Sequence, residues 1–156
     1  MTRGFSLIEL VITVAIISLL ASVALPMAEL VTQRGKEHEL RQALREIRNA
    51  LDAYKQAVDE GRIIHSMEKS GYPASLKVLV DGVLDASDPD KKSRIYFLRR
   101  IPRDPLFADP VTPEDETWGK RDYVSSAEEP EEGLDVFDVY SLAPGTGLNG
   151  IEYRKW

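Results

Sequence analysis

The feature that most constrains this chain is an apolar run from Phe5 to Leu25, in which Glu9 is the only charged residue. As an α-helix these 21 residues would be about 32 Å long, close to the thickness of a bilayer's hydrocarbon core. Arg3 precedes the run, and positive charge is retained on the cytoplasmic side of a membrane. We therefore expect a single transmembrane helix over residues 5–25, with the following chain on the extracytoplasmic side.

Three interpretations of this run compete. It is a secretory signal that is cut near Ser22 and Ala24, a permanent signal anchor, or a segment whose leader is cut at the start of the run. Glu9 favours the third, because a carboxylate inside a membrane helix costs about 3 kcal/mol and such residues usually have a partner and a function. A signal that is discarded after cleavage would gain nothing from that cost.

The residues around Glu9 form a short motif. The sequence Gly4-Phe5-Ser6-Leu7-Ile8-Glu9 resembles the processing motif of type IV pilins and type II secretion pseudopilins. The resemblance implies that prepilin peptidase removes residues 1–4 by cleavage between Gly4 and Phe5, and that the new amine of Phe5 is methylated. It also implies an assembly role for Phe5 and Glu9. The amine of one subunit and the carboxylate of another can pair inside an apolar filament core, where a lone charge is costly.

Residues 26–60 predict an amphipathic continuation, so that one helix runs from Phe5 to about Val58. Pro26 would kink an ordinary helix. It has two interpretations that the sequence leaves open: it marks the membrane exit, or, as the pilin resemblance implies, it is an assembly residue where the helix bends. Apolar side chains recur beyond it at three- and four-residue spacing, which places them on one helical face: Leu40, Ala43, Leu44, Ile47, Leu51, Tyr54 and Val58.

Residues 61–156 predict a small globular head. A short helix is expected over 75–80 with Ser75 as its cap, and short strands over 118–125, 136–142 and 151–156. Together these elements predict an α+β fold, in which a long N-terminal helix packs against a small C-terminal antiparallel β-sheet.

Four motifs in the head are similar to those of the major pseudopilins of type II secretion. The resemblance implies a structural subunit that assembles with copies of itself and with other pseudopilins into a helical filament. It further implies an assembly platform in the bacterial inner membrane and a head in the periplasm. Two other functions stay open, a minor type IV or competence pilin and a membrane-anchored periplasmic binding module that does not assemble. The motifs are Tyr72-Pro73, Pro102-Arg103-Asp104-Pro105, Trp118-Gly119 with Tyr123, and Phe137-Asp138-Val139-Tyr140-Ser141-Leu142.

The same resemblance implies a calcium site in the loop after the last of these motifs. Calcium takes about six to eight oxygen ligands, several of them usually carboxylates. Residues 143–150 contain no carboxylate, and the acids of a neighbouring loop that could contribute are Asp135 and the cluster Glu128–Glu132. We therefore expect no bound calcium and no other cofactor.

Composition and motifs also argue against catalysis and nucleic-acid binding. The chain has no cysteine, which excludes thiolate nucleophiles and thiolate metal sites. His38 and His65 are the only histidines, and they lack the spacing of a zinc motif. The formal net charge is −6, which gives no basis for binding nucleic acid. The sequence thus predicts a structural protein and not an enzyme.

Overall fold

In the computed structural model, residues 6–64, 70–90 and 92–156 are described. The chain divides into two compact units, Met1–Lys36 and Glu37–Trp156. Helix α1 comprises Leu7–Asp59 and helix α2 comprises Leu76–Asp81. The strands are β1 (Val83–Leu84), β2 (Arg94–Ile95), β3 (Trp118–Arg121) and β4 (Asp138–Ser141), and one turn of 3₁₀ helix occurs at Glu114–Glu116 and another at Tyr153–Lys155. This architecture confirms the predicted α+β fold.

Helix α1 confirms the predicted long helix, except at Phe5, which lies outside the described residues. Within the first unit, every leucine, isoleucine and valine from Leu7 to Leu20 is more than half exposed. The hydroxyls of Thr13, Ser18 and Ser22 donate hydrogen bonds to backbone carbonyls one turn earlier in the helix. Such bonds satisfy polar groups where no water is available. This surface is therefore suited to an apolar solvent.

The core of the second unit is built on the apolar face of α1. Leu40, Leu44, Ile47 and Leu51 are each 2% exposed or less, which confirms the helical face expected from their spacing. Eight buried side chains from the rest of the unit pack against this face: Leu76, Leu79, Leu98, Trp118, Val136, Val139, Ala143 and Tyr153.

The strands of the second unit form two separate antiparallel pairs. Strand β1 pairs with β2 through Val83 and Ile95, and β3 pairs with β4 from Trp118↔Ser141 to Arg121↔Asp138. The predicted strands 118–125 and 136–142 are therefore present but shorter than expected. Ser75 occupies the N-cap of α2, but its side chain makes no capping hydrogen bond.

The strand expected at 151–156 is wrong. Only Glu152 forms an isolated bridge, with Thr146, and Tyr153–Lys155 is a 3₁₀ turn. The reason is aromatic packing. The turn places the ring of Tyr153, which is 6% exposed, in a T-shaped contact with Trp156 at a centroid distance of 5.2 Å. An extended strand alternates its side chains between two faces, so it would not bring these two rings together in this way.

Candidate functional site

The residues expected to carry processing and assembly lie at the N-terminus. Gly4 and Phe5 are outside the described residues. Glu9 lies in the first turn of α1 and is exposed, as are its neighbours Ile8 and Leu10. It makes no ion pair with any residue that the structure describes. A carboxylate on an apolar helical surface is costly in a membrane unless it has a partner.

Pro26 lies inside α1. Proline lacks a backbone N–H and normally interrupts the helical hydrogen-bond ladder, yet the helical assignment continues on both sides of it. The membrane exit and the bending point consequently both stay open as interpretations of this residue.

The motif that contains Asp104 and the motif that contains Ser141 are distant in sequence but contact each other in the interior of the second unit. Asp104 and Ser141 are each 1% exposed, and the Ser141 hydroxyl donates a hydrogen bond of 2.5 Å to Oδ2 of Asp104. The other carboxylate oxygen of Asp104 accepts a 2.8 Å bond from the amide of Leu106. The aspartate of the proline-flanked turn therefore anchors β4.

Two further contacts join the remaining motifs to the same framework. The indole Nε1 of Trp118 donates a 2.8 Å hydrogen bond to the carbonyl of Pro102, which holds the turn against β3. The carbonyl of Pro73 accepts a 2.8 Å bond from the amide of Val136, just before β4. Among the described residues, no buried side-chain nitrogen or oxygen lacks a hydrogen-bond partner. The four motifs together hold the strand pair β3–β4 in place.

Arg48 connects α1 to both β4 and the last residues of the chain. Its Nε donates a 2.8 Å bond to the carboxylate of Asp138, and its terminal nitrogen donates to the backbone oxygens of Val139 (3.1 Å) and Trp156 (2.7 Å). Arg121 also contacts Asp138, at 3.3 Å. The planar guanidinium suits such multiple contacts because it carries several donors in a fixed geometry.

Glu37 is a residue that the sequence interpretation missed. It is 3% exposed, and its Oε1 accepts hydrogen bonds from the amide of Leu148 (2.9 Å) and from the hydroxyl of Tyr153 (3.1 Å). The sequence indicates that Glu37 is on the buried face of α1, because it lies three residues before Leu40 and seven before Leu44. A carboxylate in that row predicts a buried polar contact with the head.

The loop 143–150 does not fit the calcium site implied by the family resemblance. Glu37 and backbone bonds engage several of its polar groups, including Gly147 N–H to the Ile151 carbonyl (2.9 Å) and Gly150 N–H to the Gly147 carbonyl (2.9 Å). No group of three or more acidic, histidine or cysteine side chains in the described part of the chain is arranged to hold a metal ion. The carboxylate of Glu37 thus contacts the loop 143–150, which has no carboxylates of its own.

Residues 1–25 match the family model of the prokaryotic N-terminal methylation motif. The N-terminus is type IV pilin-like. The comparisons with curated proteins and with solved structures gave no match.

A pilin-like motif indicates processing by a prepilin peptidase and oligomerisation of the pilin type, and it points to a structural protein. Helix α1 is the one helix among the described residues that is long and apolar enough to cross a membrane. Together these two observations indicate a membrane-anchored protein with a pilin-like N-terminal motif. Of the two histidines, His38 is exposed on α1 and His65 lies outside the described residues.

Proposed function

We propose that this protein is a structural subunit of a type II secretion pseudopilus, which polymerises through its N-terminal helix to drive protein export. In this proposal residues 1–4 are a leader, 5–25 anchor the subunit in the inner membrane and later pack in the filament, 26–60 form the amphipathic segment, and 61–156 form a periplasmic head. Prepilin peptidase cuts between Gly4 and Phe5, and the amine of Phe5 is methylated.

The observation that carries the proposal is the position of Glu9. It is a carboxylate on an exposed apolar helical surface, within the segment that matches the methylation motif. Cleavage before Phe5 would create a cation near that carboxylate. In the core of a filament the two charges of neighbouring subunits would compensate each other, whereas either alone would be costly to bury. The pair would fix the axial register of the subunits.

The head supports a secretion pseudopilin over an adhesive pilin. Three of the motifs that resemble major pseudopilins are connected directly, through Asp104 to Ser141 and Trp118 to Pro102, and Pro73 of the fourth motif accepts a hydrogen bond from Val136, just before β4. Their connection explains why they would occur together in one head.

Mass spectrometry of the protein purified from membranes tests the processing step. We expect an N-terminal methyl-phenylalanine at position 5. A protein that begins at Met1, or that is cut after Ala24, would contradict pilin-type processing and leave an anchored binding module or an ordinary secreted protein.

Substitution of Glu9 tests the assembly step. Glu9→Leu should insert into the membrane and be cleaved normally, but it should not enter filaments, because the amine of Phe5 would have no partner. Glu29→Leu, which removes another exposed carboxylate from α1, is the matched control and should assemble. Normal assembly of Glu9→Leu would refute the proposed role of the charge pair.

Deletion of the gene separates secretion from the competing pilus functions. We expect folded cargo to accumulate in the periplasm when the subunit is absent. Normal export together with lost adhesion, motility or DNA uptake would identify a minor type IV or competence pilin instead.

A further inference from the structure

The second unit carries a groove with cationic walls and an apolar floor, which we call the basic groove. It encloses about 290 Å³. Arg41 and Arg45 lie one turn apart on α1, and Lys155 faces them from the 3₁₀ turn, while Leu44 and Trp156 supply apolar lining. The guanidinium carbon of Arg41 is 4.2 Å from the centroid of the Trp156 ring, which holds both side chains at the rim of the groove.

Three of the four cations that line the basic groove are only partly engaged within the chain, whereas the fourth, Arg48, is bonded to Asp138. Arg41 is 3.8 Å from Glu37 and its side chain is 45% exposed, and Lys155 is 3.5 Å from Glu152 with 62% exposure. Arg45 is exposed and makes no ion pair or hydrogen bond with any residue that the structure describes. The exposed Lys155–Glu152 pair is weak, and the Arg41 side chain is 45% exposed although it contacts the buried Glu37. These two cations and Arg45 therefore remain accessible to an anionic partner.

The same unit carries an acidic loop of complementary character, residues 124–134. Four carboxylates within five residues are exposed: Glu128, Glu129, Glu131 and Glu132. Among the described residues, the only cation that pairs with any of them is Lys120, 3.9 Å from Glu132. The loop also exposes two apolar side chains, Leu134 (92%) and Val124 (89%). It therefore combines excess negative charge with apolar groups, whereas the groove combines positive charge with an apolar floor.

We propose that the basic groove of one copy binds the acidic loop of a second copy. The two surfaces are different patches of the same chain, so the contact is heterologous, and a heterologous contact that does not close into a ring propagates into an open helical filament. This inference rests on the proposed filament function and adds to it a contact between heads. Because each copy carries a net charge of −6, the contact also offsets the repulsion between neighbouring heads.

Cysteine cross-linking of the full chain in membranes tests the contact directly, because the chain has no cysteine of its own. The double variant Arg45→Cys with Glu129→Cys should form disulfide-linked ladders of three or more copies under mild oxidation. Each single variant can form dimers at most. The matched control is Glu46→Cys with Glu129→Cys, because Glu46 is also exposed on α1 but faces a different groove, beside Arg100. The control variant should give no ladder.

Charge reversal provides a second readout that does not depend on disulfide geometry. Arg45→Glu and Glu129→Arg should each decrease the fraction of subunits recovered in filaments at least several-fold, and the combined variant should restore it. Raising the ionic strength from about 0.1 M to about 1 M shortens the Debye length from about 10 Å to about 3 Å, and should decrease the ladder of the double cysteine variant.

The outcomes separate this contact from the filament function itself. The groove contact is refuted if the double variant Arg45→Cys with Glu129→Cys gives no ladder and neither charge reversal affects assembly. The filament proposal still stands in that case if wild-type filaments form and Glu9→Leu abolishes them. If the unsubstituted protein forms no filament in any preparation, the filament proposal fails and the groove contact fails with it.

Discussion

At the scale of single residues, two buried side-chain contacts give the head its shape. Glu37 links α1 to the loop 143–150 through Leu148 and Tyr153, and Ser141 links β4 to the turn at Asp104. Both connect segments that are distant in sequence. Removing one member of such a pair leaves a buried donor or acceptor unsatisfied, which typically costs about 1–3 kcal/mol.

We predict that Glu37→Ala lowers the free energy of unfolding by about 1–3 kcal/mol, because the amide of Leu148 and the hydroxyl of Tyr153 lose their acceptor. Urea denaturation of the full chain in detergent micelles, followed by tryptophan fluorescence, measures this. The exposed Glu39 gives the control, Glu39→Ala, which should change stability by less than about 0.5 kcal/mol. A double-mutant cycle with Tyr153→Phe should show coupling between the two residues; additive effects would contradict the contact.

Ser141→Ala should also destabilise the head, by about 1–3 kcal/mol. The Ser141 hydroxyl both donates to Asp104 and accepts a 3.1 Å bond from the amide of Ala143, so its removal affects two buried groups. Ser75→Ala is the matched control, since the Ser75 side chain makes no capping hydrogen bond. Equal effects of the two substitutions in thermal unfolding would argue against a special role for the Asp104–Ser141 bond.

At the scale of elements, the loop between β1 and β2 is held by two carboxylates. Asp85 accepts a hydrogen bond of 2.5 Å from Arg62, and this bond, together with bonds from Ser87, lowers the pKa of Asp85 to about 2. Hydrogen bonds from the side chain and amide of Ser93, and from the amides of Asp90 and Lys92, lower the pKa of Asp88 to about 2 as well. The hydrogen bonds to Asp85 and Asp88 are therefore stronger when the two carboxylates are ionised than when they are protonated.

Because the pKa of Asp88 is lower in the folded state than in the unfolded state, the ionised carboxylate stabilises the folded state above its ordinary pKa, near 3.8. This stabilisation is lost as the pH falls through about 2. We predict that wild type is more stable than Asp88→Asn at pH 5, and that the difference shrinks between about pH 4 and pH 2. Unfolding measured at successive pH values tests this. Asp81→Asn removes a carboxylate that accepts no hydrogen bond from the described residues, and it should not reproduce the effect. A difference that is independent of pH would refute the explanation.

Gly119 and Asp122 determine how strand β3 packs and where it ends. Gly119 lies opposite Tyr140 in the β3–β4 pair, and a Cβ on Gly119 would be 2.3 Å from the Tyr140 ring. The glycine therefore allows the ring to cover the strand. Strand β3 then ends at Arg121, where Asp122 accepts hydrogen bonds from the amides of Val124 and Ser125 and turns the chain into the acidic loop.

At the scale of the whole molecule, the head is expected to be stable without calcium, because hydrogen bonds rather than carboxylate ligands organise the loop 143–150. A ligand that binds only the folded state stabilises it in proportion to the logarithm of its concentration over Kd. We predict that neither calcium nor a chelator changes the midpoint of thermal unfolding, and that calorimetric titration shows no saturable heat. Magnesium is the control for effects of ionic strength. A calcium-specific increase in the midpoint would mean that the loop holds the ion after all.

Much of the fold could be predicted from the sequence because the relevant signals are local. The apolar run, the spacing from Leu40 to Val58 and the short helix expected over 75–80 each depend on neighbours within a few residues. The strand at 151–156 was wrong because packing between Tyr153 and Trp156 overrides a weak β pattern. The spacing of Glu37 to Leu40 places it on the buried face of α1. Its partners, Leu148 and Tyr153, are more than 100 residues away, and no local pattern indicates them.

The sequence by itself determined the N-terminal character of this protein. The position of Glu9 within an apolar run long enough to span a membrane follows from the order of the residues alone. The match to the methylation motif at residues 1–25 does so as well. Only the tertiary structure decided which side chains hold the head together, and that the basic groove and the acidic loop are separate surfaces of one unit. Those features arise from contacts between distant segments, and the energy of a buried hydrogen bond or a charged surface depends on its surroundings in space.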